Sequence, residues 1–259
     1  MDIIETGSYH HSLLTLFVLA LLAASGPAQA GEVRVLSPAA MHSSLEALAE
    51  THRKQSGDEV KLKFETAPAL RKLLAAGEAA DVIVAPPAVM DEIVKMGKAV
   101  ADGRFVLGRV GAGVVVRAGA PLPDISTTEA LKRSLLEAES VVYNRASSGL
   151  YIERLIAKLG LAEALQAKTV RFHDAQETFT HLLNGKGREI GFGGVTEIVR
   201  WREKGLRLVG PLPADIQNYT TYAVTLATEP INPGGARAFL KFLASPAAKA
   251  IFTAYGVDN

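Results

Sequence analysis

Residues 143–161 read YNRASSGLYIERLIAKLGL. An apolar strand, SVVY (140–143), runs into a short turn, and the turn opens a helix, GLYIERLIAKLG (149–160). Two serines and a glycine, Ser147, Ser148 and Gly149, fill the turn, and no evident catalytic partner accompanies them. Strand, small polar turn and helix form a unit that recurs on both sides of this stretch, and its recurrence decides the fold.

Upstream, VRVL (33–36) is a short apolar strand, and the helix that follows carries Met41, Leu45, Leu48 and Ala49 on one face until Gly57 ends it. VKLKF (60–64) alternates as a half-buried strand. The next helix opens with Pro68 in its first turn, where a missing N–H costs nothing. DVIVA (81–85) reads as a fully buried strand, and a helix around VMDEIVKMG (89–97) completes a third unit. Three such units in a row imply a parallel sheet covered on both faces. A long strand broken by glycines, FVLGRVGAGVVVRAG (105–119), separates this series from a second one. There KTVRF, EIGFGG and LRLVG alternate with helices before a second long strand, YTTYAVTLAT (219–228), and two closing helices. The expected fold class is therefore α/β, two lobes each built on a mostly parallel sheet flanked by helices. Lobe one takes 31–112 plus 223–259, lobe two takes 113–222, and hinges fall near Gly111–Gly113 and Tyr222–Val224. Parallel sheets bind ligands beyond the carboxyl ends of their strands, so the site belongs in the cleft between the lobes.

Composition narrows the chemistry. Among 259 residues the formal net charge is +1, which gives no footprint for nucleic acid. With no cysteine, disulfides, thiolate catalysis and cysteine-held zinc are excluded. The acidic residues lack metal-ligand spacing, and no H-E-x-x-H pair or G-x-S-x-G elbow occurs. GFGGVT (191–196) and GRVGAGV (108–114) fit neither phosphate-loop pattern and read as tight turns and crossings. Ser43, Ser44, His52 or Ser147 with His173 are the groups that nucleophilic catalysis on this scaffold would have to draw on, and such catalysis is not expected. No cofactor and no catalytic residue are expected.

What recurs instead is a donor-rich turn at the end of a strand: LSPAAM (36–41), ETAPAL (65–70) and RASSGL (145–150). Helix N-termini leave N–H groups unpaired and carry partial positive charge, so an oxyanion can accept from them, and hydroxyls add further donors. Ser147 or Ser148 could equally be a plain N-cap. Several such turns in both halves favour a shared anion site.

At the N-terminus, LLTLFVLALLAA (13–24) followed by SGPAQA has the apolar run and small-x-small ending of an export signal, with cleavage after Ala30. The segment before it carries Asp2 and Glu5 and no Lys or Arg, unlike an ordinary signal, and an uncleaved anchor is the alternative.

Four segments carry a family resemblance: 33–57, FETAPALRKLLAAGEAADVIVAP (64–86), SSGLYIERLIAKLGL (147–161) and LASPAAKAIFTAYG (243–256). Together they resemble the periplasmic solute-binding proteins of ABC importers, of the molybdate-binding type. The resemblance implies a type II periplasmic-binding-protein fold, a periplasmic monomer, a small anionic ligand such as molybdate or tungstate, and an ABC permease in the inner membrane as partner. It also implies a site of serine hydroxyls and backbone N–H groups with no counter-charge on the ligand. The family's first-turn serine falls at Ala40, with Ser37 three residues earlier. Its second-turn serine falls at Ala67 or Pro68, beside Thr66. Backbone donors fall at Ser148, within Ser147–Gly149, and near Gln176, and the family's tyrosine falls at Gly194. Loss of those hydroxyls weakens a molybdate site unless Ser37, Thr66, Ser147, Gln176 or Tyr222 compensates, and Arg145 would suit a carboxylate instead. Another oxyanion, a small organic anion, or a sensor module for a membrane receptor are the alternatives.

Overall fold

The computed structural model describes residues 31–258, and the expected export signal and its cleavage point lie outside them. Gly31–Asn259 forms one compact unit. A path of strands runs β2 (Glu59–Glu65), β1 (Glu32–Pro38), β3 (Val82–Ala85), β9 (Tyr219–Leu226), β4 (Phe105–Arg117), β7 (Glu189–Gly194), β5 (Ser140–Asn144), β6 (Thr169–Phe172), with β8 (Leu206–Pro211) paired to β4 off that path. The β1 pairs with β2 and β3 are parallel, as are the β5 pairs with β6 and β7. Strands β4, β8 and β9 run antiparallel to their neighbours.

Strand pleat sorts the core into layers. In the first half, Val33, Val35, Val82 and Val84 face α1 (His42–Ser56), α9 (Pro233–Leu243) and α10 (Pro246–Ala254) through Leu45, Leu48, Phe239 and Phe252. Their strand neighbours Leu36 and Ile83 face the other way, onto Leu70 of α2 (Ala67–Ala75) and Met90 and Ile93 of α3 (Pro87–Lys95). In the second half Val114, Val141 and Tyr143 pack on Leu131 of α4 (Thr128–Glu137) and Ile152 of α5 (Ser147–Lys158). Val115 and Val142 pack on Phe179 of α7 (Ala175–Asn184) and Ile198 of α8 (Val195–Arg200). A short helix, α6 (Ala162–Leu165), bridges α5 to β6 and has no clear signal in the sequence. Asp81, fully buried at the head of β3, accepts N–H bonds from Arg34 at 2.7 Å and Asn232 at 2.8 Å, which ties the third unit to the chain's closing helices.

The expected hinge at Tyr222–Val224 lies within a paired strand: β9 pairs with β4 from Tyr219 to Val224 and gains β3 as a second partner from Ala223. In β4 the change of partner falls at Ala112. Strand β4 pairs with β9 up to Gly111↔Tyr219 and with β7 from Ala112↔Gly194 onward. Gln217 clasps that point, its Oε1 accepting from the Ala112 N–H and its Nε2 donating to the Ala112 carbonyl, both at 3.1 Å. The glycines of 191–196 are likewise strand residues rather than turns. Gly113 and Gly193 are register partners, and helix side chains fill the space above them, with Ile198 Cδ1 3.2 Å from a Cβ placed at 113 and Phe179 Cζ 2.8 Å from one at 193.

Candidate functional site

Strands β1, β2, β5 and β6 end on one cleft of about 350 Å³. Its walls are Pro38–Ala40, His42, Phe64–Ala67, Ala146–Ser148, Asp174–Gln176, Glu197, Arg200 and Tyr222. Ala40, Thr66, Ala67, Ser147, Ser148 and Gln176 all line this cleft. A second concavity of about 300 Å³, at the amino end of β7, is lined by Asp124, Arg133, Glu137, Arg188 and Glu189 and has no comparable convergence of turns.

Helix entry explains which donors are free. Thr66 caps α2, its hydroxyl accepting from the Ala69 N–H at 3.3 Å. Asp174 caps α7 by accepting from the Glu177 N–H at 2.9 Å. At α5 the cap position is Ala146, which offers no side-chain acceptor. Ser147 and Ser148 are therefore not caps. They are the first two helical residues, both line the cleft, and no side chain caps the first turn that they open.

Three of the expected residues have other roles. Ser37 is fully buried and its hydroxyl donates to the Pro38 carbonyl at 3.2 Å, so it lies behind the wall. Gly149 is buried because α5 starts against β5, and a Cβ there would fall 1.8 Å from the Asn144 carbonyl oxygen. Gly194, the last residue of β7, sits beneath the cleft, where a Cβ would be 3.1 Å from Glu197 Oε2 and 3.3 Å from Val110 Cγ1. The side chain missing at 194 leaves that room to the Glu197 carboxyl. Arg145 is exposed and outside the lining.

His42, Glu197 and Arg200 in the lining were not expected from the sequence, and they stand there with Tyr222, which was. His42 stacks on Phe64 with ring centroids 4.2 Å apart, and its Nδ1 lies 3.0 Å from Glu46 Oε2. Burial, and then the charge of Arg200, hold its pKa below the ordinary value against the pull of Glu46. The Arg200 Nε is buried and makes no hydrogen bond within the protein. Glu197 is 7% exposed, and burial raises its pKa to about 7, while the Gly194 N–H and Arg200 oppose the rise and Asp174 adds to it. Tyr222 stays protonated, its pKa pushed far up by burial and then by Glu197, with Thr220 opposing. Across the cleft floor, the Thr196 hydroxyl donates to the Ala40 carbonyl at 2.7 Å and joins α8 to the first turn after β1. Among the described residues, no group of three or more His, Asp or Glu side chains is placed to hold a metal, and no helix is long and apolar enough to cross a membrane.

The raised Glu197 pKa makes stability depend on pH with a definite sign. Between the ordinary 4.5 and about 7 the folded protein keeps a proton that the unfolded chain releases. Stability contributed by this group is fully present below 4.5, falls as pH rises, and is lost above about 7. The expected slope is at most about 1.4 kcal/mol per pH unit. Denaturant melts of the wild type and Glu197→Gln, compared across this range, isolate it: the difference in stability should shift steadily up to about pH 7 and then level off.

The bacterial extracellular solute-binding protein family model matches residues 33–258. An aconitate isomerase of Pseudomonas sp. is 33% identical over 252 residues, covering 92% of this chain and 94% of that protein. The molybdate-binding protein of Escherichia coli (strain K12) is 23% identical over 240 residues, covering 91% of this chain and 92% of that one. The periplasmic molybdate-binding protein of Azotobacter vinelandii superposes with a TM-score of 0.73 at 18% identity, over 88% of this chain and 99% of that one, and so shares the two-lobed fold. With its strand-end cleft and a family match across nearly all the described residues, this chain belongs to the bacterial extracellular solute-binding proteins.

Proposed function

We propose that this protein is the periplasmic substrate-binding component of an ABC importer and that its ligand is a small organic anion carrying two or more carboxylates. It would be exported with cleavage after Ala30, act as a monomer, and hand its ligand to an inner-membrane permease. The bodies proposed to close on the ligand are residues 31–111 with 219–258, and residues 112–218, moving about the partner change at Ala112.

The observation that carries the ligand reading is Arg200, a guanidinium in the cleft with a buried, unpartnered Nε. Arginine matches the planar fork of a carboxylate. Asp174 spends an oxygen on its cap and Glu197 holds a proton readily, so neither cancels that charge in full. A second carboxylate would meet the α5 turn at Ser147 and Ser148. Two further features weigh against molybdate. Hydroxyls are lost at Ala40, Ala67 and Gly194, and a volume on the order of ten water molecules is several times that of one tetrahedral oxyanion. The relative named for aconitate, itself a tricarboxylate, agrees with this reading.

Calorimetric titration of the purified protein with cis- and trans-aconitate, citrate, molybdate, tungstate and sulfate decides the matter. A micromolar or tighter tricarboxylate with silent molybdate is the expected result. Tight molybdate with silent carboxylates would restore the inherited ligand and remove Arg200 from the argument.

A further inference from the structure

Glu197 and Arg200 stand three residues apart on α8 and both line the cleft, so one helix face turns a carboxyl and a guanidinium to the same space. The carboxyl is 7% exposed and lies in the room beside Gly194, near Ala40 and Val110. It takes the Gly194 N–H, the back-bond that a glutamate in the third helical position makes to its own helix start. That bond accounts for a polar side chain at the start of α8. It does not account for an acid in an anion cleft. An ionised carboxylate there repels the ligand that Arg200 attracts, whereas a protonated one donates a hydrogen bond to it.

We propose that the cleft takes up its anion together with a proton, and that protonated Glu197 is a ligand-binding residue whose O–H donates to the carboxylate held by Arg200. This rests on the carboxylate reading above and names how that site is controlled. The proton comes from solvent, the only bond formed is the O–H of Glu197, and nothing is oxidised or reduced.

The surroundings set the sign of the coupling. Asp174 faces Glu197 from the turn before α7, and Glu65, at the end of β2, shares the lining. The basic groups there are Arg200 and His42, which stands on α1 with Glu46 at its Nδ1, and Tyr222 of β9 is neutral. The strands that α8 packs on carry Arg109 and Arg117 in β4, Glu189 in β7 and Arg207 in β8, and Arg202–Lys204 follow the helix, all outside the cleft lining. A polyanion entering this lining adds negative charge beside a carboxyl that already titrates near neutrality, so the loaded form keeps its proton to higher pH than the empty form. His42 is held below its ordinary value, which leaves Glu197 the group nearer to protonation between pH 7 and 8.

The test is calorimetry of the purified protein with citrate and with cis- and trans-aconitate at pH 7, 8 and 9, in buffers of different ionisation enthalpy. Carboxylates of these ligands are ionised in that range, so a proton taken up enters the protein. Uptake of about half to one proton per ligand at pH 8 is expected, with affinity falling about fivefold from pH 7 to pH 8 and nearer tenfold over the next unit. Glu197→Gln, a donor that cannot ionise, should show no uptake and a flat affinity, and at pH 8 it should bind about five- to tenfold more tightly than the wild type. Loss of a back-bond alone would move neither readout. His42→Gln should keep the uptake. Tricarboxylate binding without proton uptake in the wild type would overturn the inference and leave the carboxylate reading standing, a result that needs no variant to fold. Uptake that persists in folded Glu197→Gln, or that disappears only in His42→Gln, would take the proton away from Glu197 and overturn it as well. Absence of any tricarboxylate binding would overturn the reading and the inference together.

Discussion

Arg200→Ala should weaken tricarboxylate binding by roughly thirty- to a thousandfold, about 2–4 kcal/mol, with little change in melting temperature. The large effect on affinity follows from losing a charge-assisted pair in a partly buried cleft. The small effect on stability follows because, among the described residues, the buried Arg200 Nε has no hydrogen-bond partner. Arg200→Lys should fall between, since an ammonium keeps the charge but loses the two-pronged match to a carboxylate. The same substitution has an independent signature. Arg200 is one of the two causes that lower the His42 pKa, so removing it should raise that pKa, visible in an NMR titration of the His42 ring. Calorimetry showing unchanged tricarboxylate affinity in Arg200→Ala would remove the main support for an organic anion.

Gly149→Ala should have the largest effect on folding. The added methyl would lie 1.8 Å from the Asn144 carbonyl oxygen and 2.6 Å from its carbon, and a backbone cannot step aside as a side chain can. A cost of about 3 kcal/mol is expected, read as a drop in the denaturation midpoint. What folded protein remains should bind poorly, because the only relief is to lift the start of α5 off β5 and carry Ser147 and Ser148 from the cleft. Gly57→Ala provides the contrast. Gly57 has φ +82° with open space around it, so alanine there meets only backbone strain, about 1–2 kcal/mol, and should leave binding intact. A Gly149→Ala protein as stable as the wild type would mean that α5 is not held against β5 as described.

The strand-turn-helix series was readable because its apolar periods are strong, and parallel order follows from the helices between strands. The turns at Thr66, Ser147 and Ser148 were readable because strand ends in such sheets converge. Ser37 was misjudged by a few residues of geometry: it still belongs to β1, opposite Phe64, and the wall begins at Pro38. Arg200 and Glu197 could not be seen in TEIVRWREKG, an ordinary charged amphipathic stretch in one dimension. Glycines 113 and 193 let Ile198 of α8 pack close to the sheet, and that placement, invisible in one dimension, puts Glu197 and Arg200 in the cleft lining.

Strand β4 belongs to both hydrogen-bonded networks, pairing with β9 along its first part and with β7 and β8 along its second. Neither half can therefore be cut out cleanly. A fragment ending after β4 would carry a valine-rich ribbon, Val114–Val116, stripped of its neighbours, and such an open edge recruits other chains. The shared strand makes the protein indivisible by expression in pieces. It also makes any movement between its halves a matter of twisting a continuous ribbon rather than swinging two separate blocks.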